Sequence, residues 1–421
     1  MQEKRVERAS FLSSKTTATL LRLSSLNTAR NPLVSCCIIQ FDMRSFTFAA
    51  ALVTVFGLAS AWKCQNITVS VQASARNGMF NVAIPQNNIE VTNFILNGVE
   101  QGVNASAEVL TGYATVSGTY DLAATYCAPD QGDGKTLQIL THGIGFDRSY
   151  WDLSFNNYNY SYVETAVDQY GFSTLSWDRL GIGMSQHGDP LSVIQAPLEQ
   201  AALQALTNLA WSGSVPGVSA KFDKIVHVGH SFGSELSYGL ARDMPSLSSG
   251  LVLTGFSTNG TFLPYFELGG NFVSVTTVPA LASEYVAGYL AAGDPSAVQT
   301  NFFAPGVFDP AILTVAYQTG QPVTLGELLT IGGEAGGVAD QFTGPVLVVT
   351  GGRDLPYCGG NCLATGNPSV PSIPAAAQMS FPATSKFEAF IVPGAGHGLN
   401  LEYSKDTTYQ HISQFLVGNG F

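Results

Sequence analysis

The pentapeptide Gly229-His230-Ser231-Phe232-Gly233 could turn a serine into a nucleophile. A free hydroxyl attacks carbonyls poorly at neutral pH and needs a base beside it. The apolar run 224–229 ahead of the pentapeptide reads as a strand, and 232–243 behind it reads as a helix. That is the strand–turn–helix context in which the serine of G-x-S-x-G is held at the end of a sheet. The two glycines let the chain turn without a side-chain clash. The plainer reading is a Gly-rich connection with an ordinary capping serine; the strand before and the helix after favour the nucleophile.

Six histidines compete to be the base. His142 belongs to a strand-end turn, His227 to a buried strand, and His230 sits beside Ser231, pointing away. His187 lies in a loop and His411 in the terminal helix. His397, in Gly394-Ala-Gly-His397-Gly-Leu-Asn400, hangs on a loop just after the last strand and is the candidate. A base of this kind needs an acid to fix its tautomer. Asp354 follows the strand 345–350, and the chain order Ser, Asp, His is one that this chemistry uses. The alternative acid position, in Gly255-Phe-Ser-Thr-Asn-Gly260, carries no carboxylate. An exposed turn aspartate paired with Arg353 is the bland alternative for Asp354. Acyl transfer also needs N–H groups for the developing oxyanion. The amides of Phe232 and of Ile144, in His142-Gly143-Ile144-Gly145, are the candidates. Phe146, Tyr150, Trp151 and Phe155 lie close by, so Phe146 and Trp151 are candidate contacts for an apolar or aromatic substrate.

Positioning these residues requires a sheet. Short apolar runs at 136–141, 173–178, 224–229, 250–255, 345–350 and 387–392 alternate with helical stretches at 193–211, 232–243 and 404–417. Alternation of this kind implies a mostly parallel sheet covered on both faces. It breaks between 257 and 342, a stretch rich in Phe, Ala, Gly and Thr with a helical patch at 280–290, which reads as an inserted helical lid. Residues 131–256 and 343–421 form the core, and 62–130 a β-rich N-terminal arm. The turn Asp178-Arg-Leu-Gly181-Ile-Gly183-Met-Ser185 reads as structural, with Asp178 bonding backbone amides.

Composition sets the compartment and the partners. Met43-Arg44, the apolar run 46–58 and Ala59-Ser60-Ala61 read as a signal peptide, too short to serve as a stable membrane anchor. Residues 1–42 are then a dispensable leader or a gene-model extension. With Cys36 and Cys37 discarded, Cys64, Cys127, Cys358 and Cys362 remain. Three pairings are open, with Cys64–Cys127 and Cys358–Cys362 favoured. Their spacing does not fit a zinc site. Sequons begin at Asn66, Asn104, Asn159 and Asn259. A formal net charge of −12 excludes nucleic acid as a partner. The chain reads as a secreted, extracellular protein.

Together, His142-Gly143, Asp178 with Gly181, Gly183 and Ser185, Gly229–Gly233, Asp354 and His397 resemble the α/β-hydrolase family over most of 130–421. The likeness is greatest to its single-domain, lid-bearing members and, given the signal and the acidity, to secreted fungal ones. The resemblance implies the α/β-hydrolase fold and hydrolysis of an ester-like bond in a small molecule or lipid, with no cofactor and no metal. His-Gly-Ile-Gly departs from the His-Gly-Gly-Gly of many esterases, so no subclass carries over. The arm lies outside the family's common core. The serine argues against epoxide and haloalkane hydrolysis, which use an aspartate. A peptidase, a secondary-metabolite tailoring hydrolase and a catalytically silent binding module are the alternatives. The oligomeric state is not legible.

Overall fold

Two long strands open the described part of the chain. The computed structural model describes residues 62–421; the expected leader and signal lie outside the described residues. β1 (Trp62–Phe80), α1 (Asn88–Gly98) and β2 (Leu110–Pro129) come first. β3 (Thr136–Thr141), β4 (Ser173–Trp177), α2 (Ala196–Ser212), β5 (Lys224–His230), α3 (Phe232–Asp243) and β6 (Gly250–Thr254) follow. Segment 257–342 holds α4 (Leu263–Gly269), β7 (Phe272–Ser274), β8 (Tyr289–Ala292), α5 (Pro295–Phe302), α6 (Pro310–Gln318), β9 (Val323–Thr324) and α7 (Leu325–Thr330). The chain closes with β10 (Val346–Gly351), α8 (Leu355–Cys358), β11 (Phe387–Val392) and α9 (Lys405–Gly418).

The main sheet has eight strands in the order β1-β2-β4-β3-β5-β6-β10-β11. Only β2 runs antiparallel to its neighbours; the rest pair in parallel. This is the α/β-hydrolase fold: a mostly parallel sheet with flanking helices. Every residue of β3, β6 and β10 is buried, as expected of parallel strands covered on both faces. Polar side chains in these strands find partners: His227 in β5 bonds Thr207 of α2 and Ser248.

The arm is more than an appendage. Its β1–β2 hairpin supplies the first two strands of the sheet, and the Cys64–Cys127 disulfide joins directly opposite residues. The β-rich arm thus forms one edge of the main sheet. The far half of the hairpin overhangs, because β2 pairs with β4 only from Ala124 to Cys127. α1, in the hairpin connection, was not expected from the sequence.

Segment 257–342 is not purely helical. β9, β8 and β7 form a small antiparallel sheet. The expected helical patch at 280–290 is a run of turns leading into β8. The left-handed Gly288 (φ +97°) breaks the helical conformation before the patch ends. Tyr285 is drawn to the core, where its hydroxyl accepts the Gly183 N–H at 2.9 Å. No helix among the described residues is long and apolar enough to cross a membrane.

Candidate active site

The turn between β5 and α3 is strained at one residue. Ser231 has φ 55° and ψ −122°, a conformation that costs a non-glycine residue of order 1–3 kcal/mol. Its neighbours show why the turn must be tight. A Cβ on Gly229 would lie 2.5 Å from the Ser234 Cα, and one on Gly233 would lie 2.6 Å from the His142 carbonyl oxygen. The turn is tied to β6: the Ser231 N–H and the Ser234 hydroxyl both donate to the Thr254 carbonyl, at 2.9 and 2.8 Å.

Asp354 ends the loop after β10 and His397 ends the loop after β11. Both are buried, and His397 Nδ1 lies 2.7 Å from Asp354 Oδ2. The other Asp354 oxygen accepts the Tyr357 N–H at 2.8 Å and caps α8. Asp354 is therefore not an exposed turn residue paired with Arg353. His397 Nε2 is buried with no hydrogen-bond partner among the described residues. Its ring packs against Gly255, where an added Cβ would lie 2.8 Å from Cε1. Gly255 directly follows Thr254, to which Ser231 is bonded, so the serine and the histidine converge on the end of β6.

The other histidines have partners of their own, although His230 does not point away from the site but packs against His397, ring centroids 4.8 Å apart. His142 donates from Nδ1 to the Gly143 carbonyl and accepts the Arg179 N–H at Nε2. Burial, aided by Arg179, holds it well below its ordinary pKa and hence neutral. His230 bonds Thr254 and stacks on Tyr150, and burial lowers its pKa well below normal too. His187 bonds the Gly183 carbonyl, and His411 pairs with Glu388.

The His142–Gly145 turn lies against the nucleophile turn: a Cβ on Gly143 would be 2.8 Å from the Ser231 Cβ. Neither the Phe232 nor the Ile144 N–H donates to an acceptor among the described residues. Beside Ile144 and Gly145 opens an apolar cavity of about 270 Å³, walled by Phe266, Phe272, Val298 and Phe302. It falls at the small end of ligand pockets. Phe302 lies between this cavity and His397, its ring centroid 5.8 Å from the imidazole. Phe146 packs edge-on against Phe302 and so borders the cavity indirectly. Trp151 does not line it: it packs on Tyr150 and Tyr162 in the core.

The match to known families covers these elements. The model of the "Alpha/beta hydrolase family" matches residues 138–409. The chain belongs to the alpha/beta hydrolase family. Among solved structures it is similar to a thermophilic esterase from Thermogutta terrifontis, at 18% identity, 72% of this chain, 96% of that chain and a TM-score of 0.48. It is also similar to a monoacylglycerol lipase from Paleococcus ferrophilus (13% identity, 72% and 99% covered, TM-score 0.44). A third is the enol-lactonase from Burkholderia xenovorans LB400 (16% identity, 71% and 97% covered, TM-score 0.44). No curated protein matches the chain.

Within this alpha/beta hydrolase several side chains near Ser231 escaped sequence reasoning. The Tyr357 hydroxyl donates to Glu235 Oε1 at 2.7 Å, one helical turn after Ser231. Arg179 is fully buried beside Phe232, its guanidinium 4.7 Å from the ring centroid. Asp178 acts as expected, accepting the Arg148 and Met184 N–H groups at 2.9 Å each. No group of three or more His, Cys, Asp or Glu among the described residues is arranged to hold a metal ion.

Cys358–Cys362 closes the loop that starts at Asp354. The Gly360 N–H donates to the Asp354 carbonyl at 2.8 Å, and the Cys362 N–H to the Gly352 carbonyl at 3.1 Å. Replacing both cysteines with serine is expected to cost about 2 kcal/mol of stability, the low end for disulfides because the loop is short. Urea denaturation of the double variant checks this.

Proposed function

We propose that this alpha/beta hydrolase is a secreted serine esterase that cleaves an ester-like bond of a small apolar substrate through an acyl-enzyme. The observation that carries the reading is the buried Asp354–His397 hydrogen bond, set beside a serine held at φ 55°. Ser231 Oγ attacks the carbonyl carbon as His397 Nε2 takes its proton. Asp354 fixes the Nδ1–H tautomer and stabilises the imidazolium. The Phe232 and Ile144 amides face the developing oxyanion. His397 then protonates the leaving alcohol, and water, activated by the same nitrogen, releases the acid. No metal or organic cofactor is needed.

The small apolar cavity supports an acyl or aromatic group rather than a polypeptide as the bound part of the substrate. Segment 257–342 supports a lid role: it walls the cavity, and the Gly398 N–H donates to the Phe302 carbonyl at 2.6 Å. Secretion is supported by two disulfides and by the exposure of Asn66, Asn104 and Asn159 in their sequons.

The reading is tested by treating the purified protein with a fluorophosphonate probe, native and heat-denatured, beside hydrolysis of p-nitrophenyl esters of increasing acyl length. Labelling of the native protein alone, with hydrolysis, is the expected result. A folded protein that neither labels nor hydrolyses any ester overturns it. Ala297 on α5 lines the cavity and is buried. Ala297→Phe fills it and is expected to lower kcat/KM for hexanoyl esters by about tenfold or more relative to acetyl esters, since each methylene in an apolar pocket is worth about 1–3 kcal/mol. The ratio of the two kcat/KM values checks this.

A further inference from the structure

α4 borders a second cavity besides the one next to Ile144. Its volume is about 390 Å³, within the range of ligand pockets. The arm supplies one wall, with Val82, Phe94 of α1 and Val109; Glu267 of α4 and Leu328 and Leu329 of α7 supply the other. The two cavities share no lining residue: Phe266 of α4 walls the first and its neighbour Glu267 the second. Two carboxyl groups, Glu90 and Glu267, line the second cavity, and no lysine, arginine or histidine does. Glu90 is occupied, its oxygens accepting the Gln86 N–H at 2.8 Å and the Asn87 side-chain amide at 2.7 Å. Glu267 is partly buried and has no hydrogen-bond or ion-pair partner among the described residues.

We propose that this cavity is a second ligand site, taking a small organic ammonium: an alkyl or arylalkyl amine whose cation pairs with Glu267 and whose hydrocarbon part lies on Phe94, Val109 and Leu328. A positive charge belongs there for two reasons. A partly buried carboxylate with no partner gains a charge-assisted hydrogen bond from an ammonium. Glu267 also stands at the C-terminus of α1, since a Cβ on Gly98 would lie 3.4 Å from Glu267 Oε2. The last carbonyls of a helix lack intrahelical donors and carry partial negative charge. The carboxylate is repelled by that helix end, and a cation between the two satisfies both.

The walls select the rest of the ligand. A divalent metal ion takes more oxygen ligands than one free carboxylate offers. An anionic ligand would meet two carboxyl groups. A neutral hydrocarbon would fill the cavity and leave Glu267 desolvated without a partner. An amine with an apolar tail answers both the charge and the apolar surface. Burial agrees with this, pushing the Glu267 carboxyl up to about 7, as it does for a carboxylate with no cation beside it.

The test is isothermal titration calorimetry of the disulfide-bonded protein with hexylamine, butylamine and 1-hexanol at about pH 8, where the carboxylate is ionised and an alkyl ammonium keeps its proton. Hexylamine is expected to bind at least about tenfold more tightly than hexanol, because only the amine brings a cation to the carboxylate. It is expected to bind about tenfold more tightly than butylamine, through two further buried methylenes. Glu267→Gln keeps the shape, removes the charge and is expected to lower hexylamine affinity by about tenfold or more. Ala297→Phe, which fills the other cavity, is expected to leave it unchanged. Both variants are checked for folding by thermal melting. No binding of hexylamine to wild type, equal affinity for amine and alcohol, equal affinity for the two amines, or undiminished binding by Glu267→Gln overturns the proposal. Loss of binding in folded Ala297→Phe also overturns it, by placing the amine beside Ile144. Should either variant misfold, the wild-type comparison of amine with alcohol still decides. None of these measurements needs Ser231 to react, so failure here leaves the reading of the active site standing.

Discussion

Replacing Ser231 with alanine is expected to lower kcat on short p-nitrophenyl esters by about a million-fold, and His397→Ala by nearly as much. The two act as one unit, so the double variant should be no worse than either single one. The alanine at 231 must adopt the strained φ of 55° without the hydroxyl that gives the strain a use. Stability should therefore change little while activity disappears. Asp354→Asn is expected to fall less, by about ten-thousand-fold. Its Oδ1 can still accept the Tyr357 N–H and cap α8, but its amide would present a donor to Nδ1 and select the wrong imidazole tautomer. Steady-state kinetics on the three variants, beside their melting curves, check the ranking. If Ser231→Ala retains more than about 1% of wild-type kcat, another nucleophile is at work.

What could be read in the sequence was local. Gly229 and Gly233 stand two residues either side of Ser231, with a strand before and a helix after, because the close approach of β5, α3 and β3 leaves no room for a Cβ. That demand is written in residue type and spacing. The parallel strands were legible for the same reason: burial on both faces forces continuous apolar runs. The rest depends on contacts far apart in the chain. The edge pairing of β2 with β4 joins Ala124–Cys127 to Thr174–Trp177 and leaves no trace in either segment alone. Tyr357 reads as one more core aromatic, and only folding brings it to Glu235, 122 positions away. The aromatic run 146–155 held both a cavity neighbour, Phe146, and a core residue, Trp151, and their order in sequence could not separate them. The small sheet in segment 257–342 is built from strands of two to four residues, below the length at which periodicity is visible.

Arg179 was the least legible of all, in a glycine-rich turn that looked structural only through Asp178. Its guanidinium is buried and paired with two buried carboxylates, Glu199 of α2 and Glu327 of α7. Burial opposes its charge, and the two carboxylates more than restore it, raising its pKa. Burial, together with Glu327, holds the Glu199 carboxyl well above its ordinary range. Replacing Arg179 with methionine removes the cation and leaves both carboxyl groups buried without it. Breaking a buried pair from one side costs about 3–5 kcal/mol, so Arg179→Met is expected to be among the most destabilising single changes in the molecule. The sign of its pH dependence follows. A carboxyl whose pKa is raised on folding loses stability as pH rises from its unfolded value through its folded one. The deficit of Arg179→Met should therefore be largest at neutral pH and shrink toward pH 5, as the stranded carboxylates take up protons. Urea denaturation at the two pH values checks both the size and the trend; an equal deficit at both would mean that lost packing and not charge is responsible. The triple variant Arg179→Met, Glu199→Met, Glu327→Leu should recover most of the loss, because apolar groups of similar volume can replace a buried ionic cluster. The cluster also has a place in the chemistry. It joins the turn after β4 to α2 in the core and to α7 in segment 257–342, and its cation lies over the ring of Phe232, whose amide follows the nucleophile. If the triple variant is stable yet slow, Arg179 holds the proposed oxyanion donor in place; if it is stable and fully active, the cluster serves only to fasten that segment to the sheet.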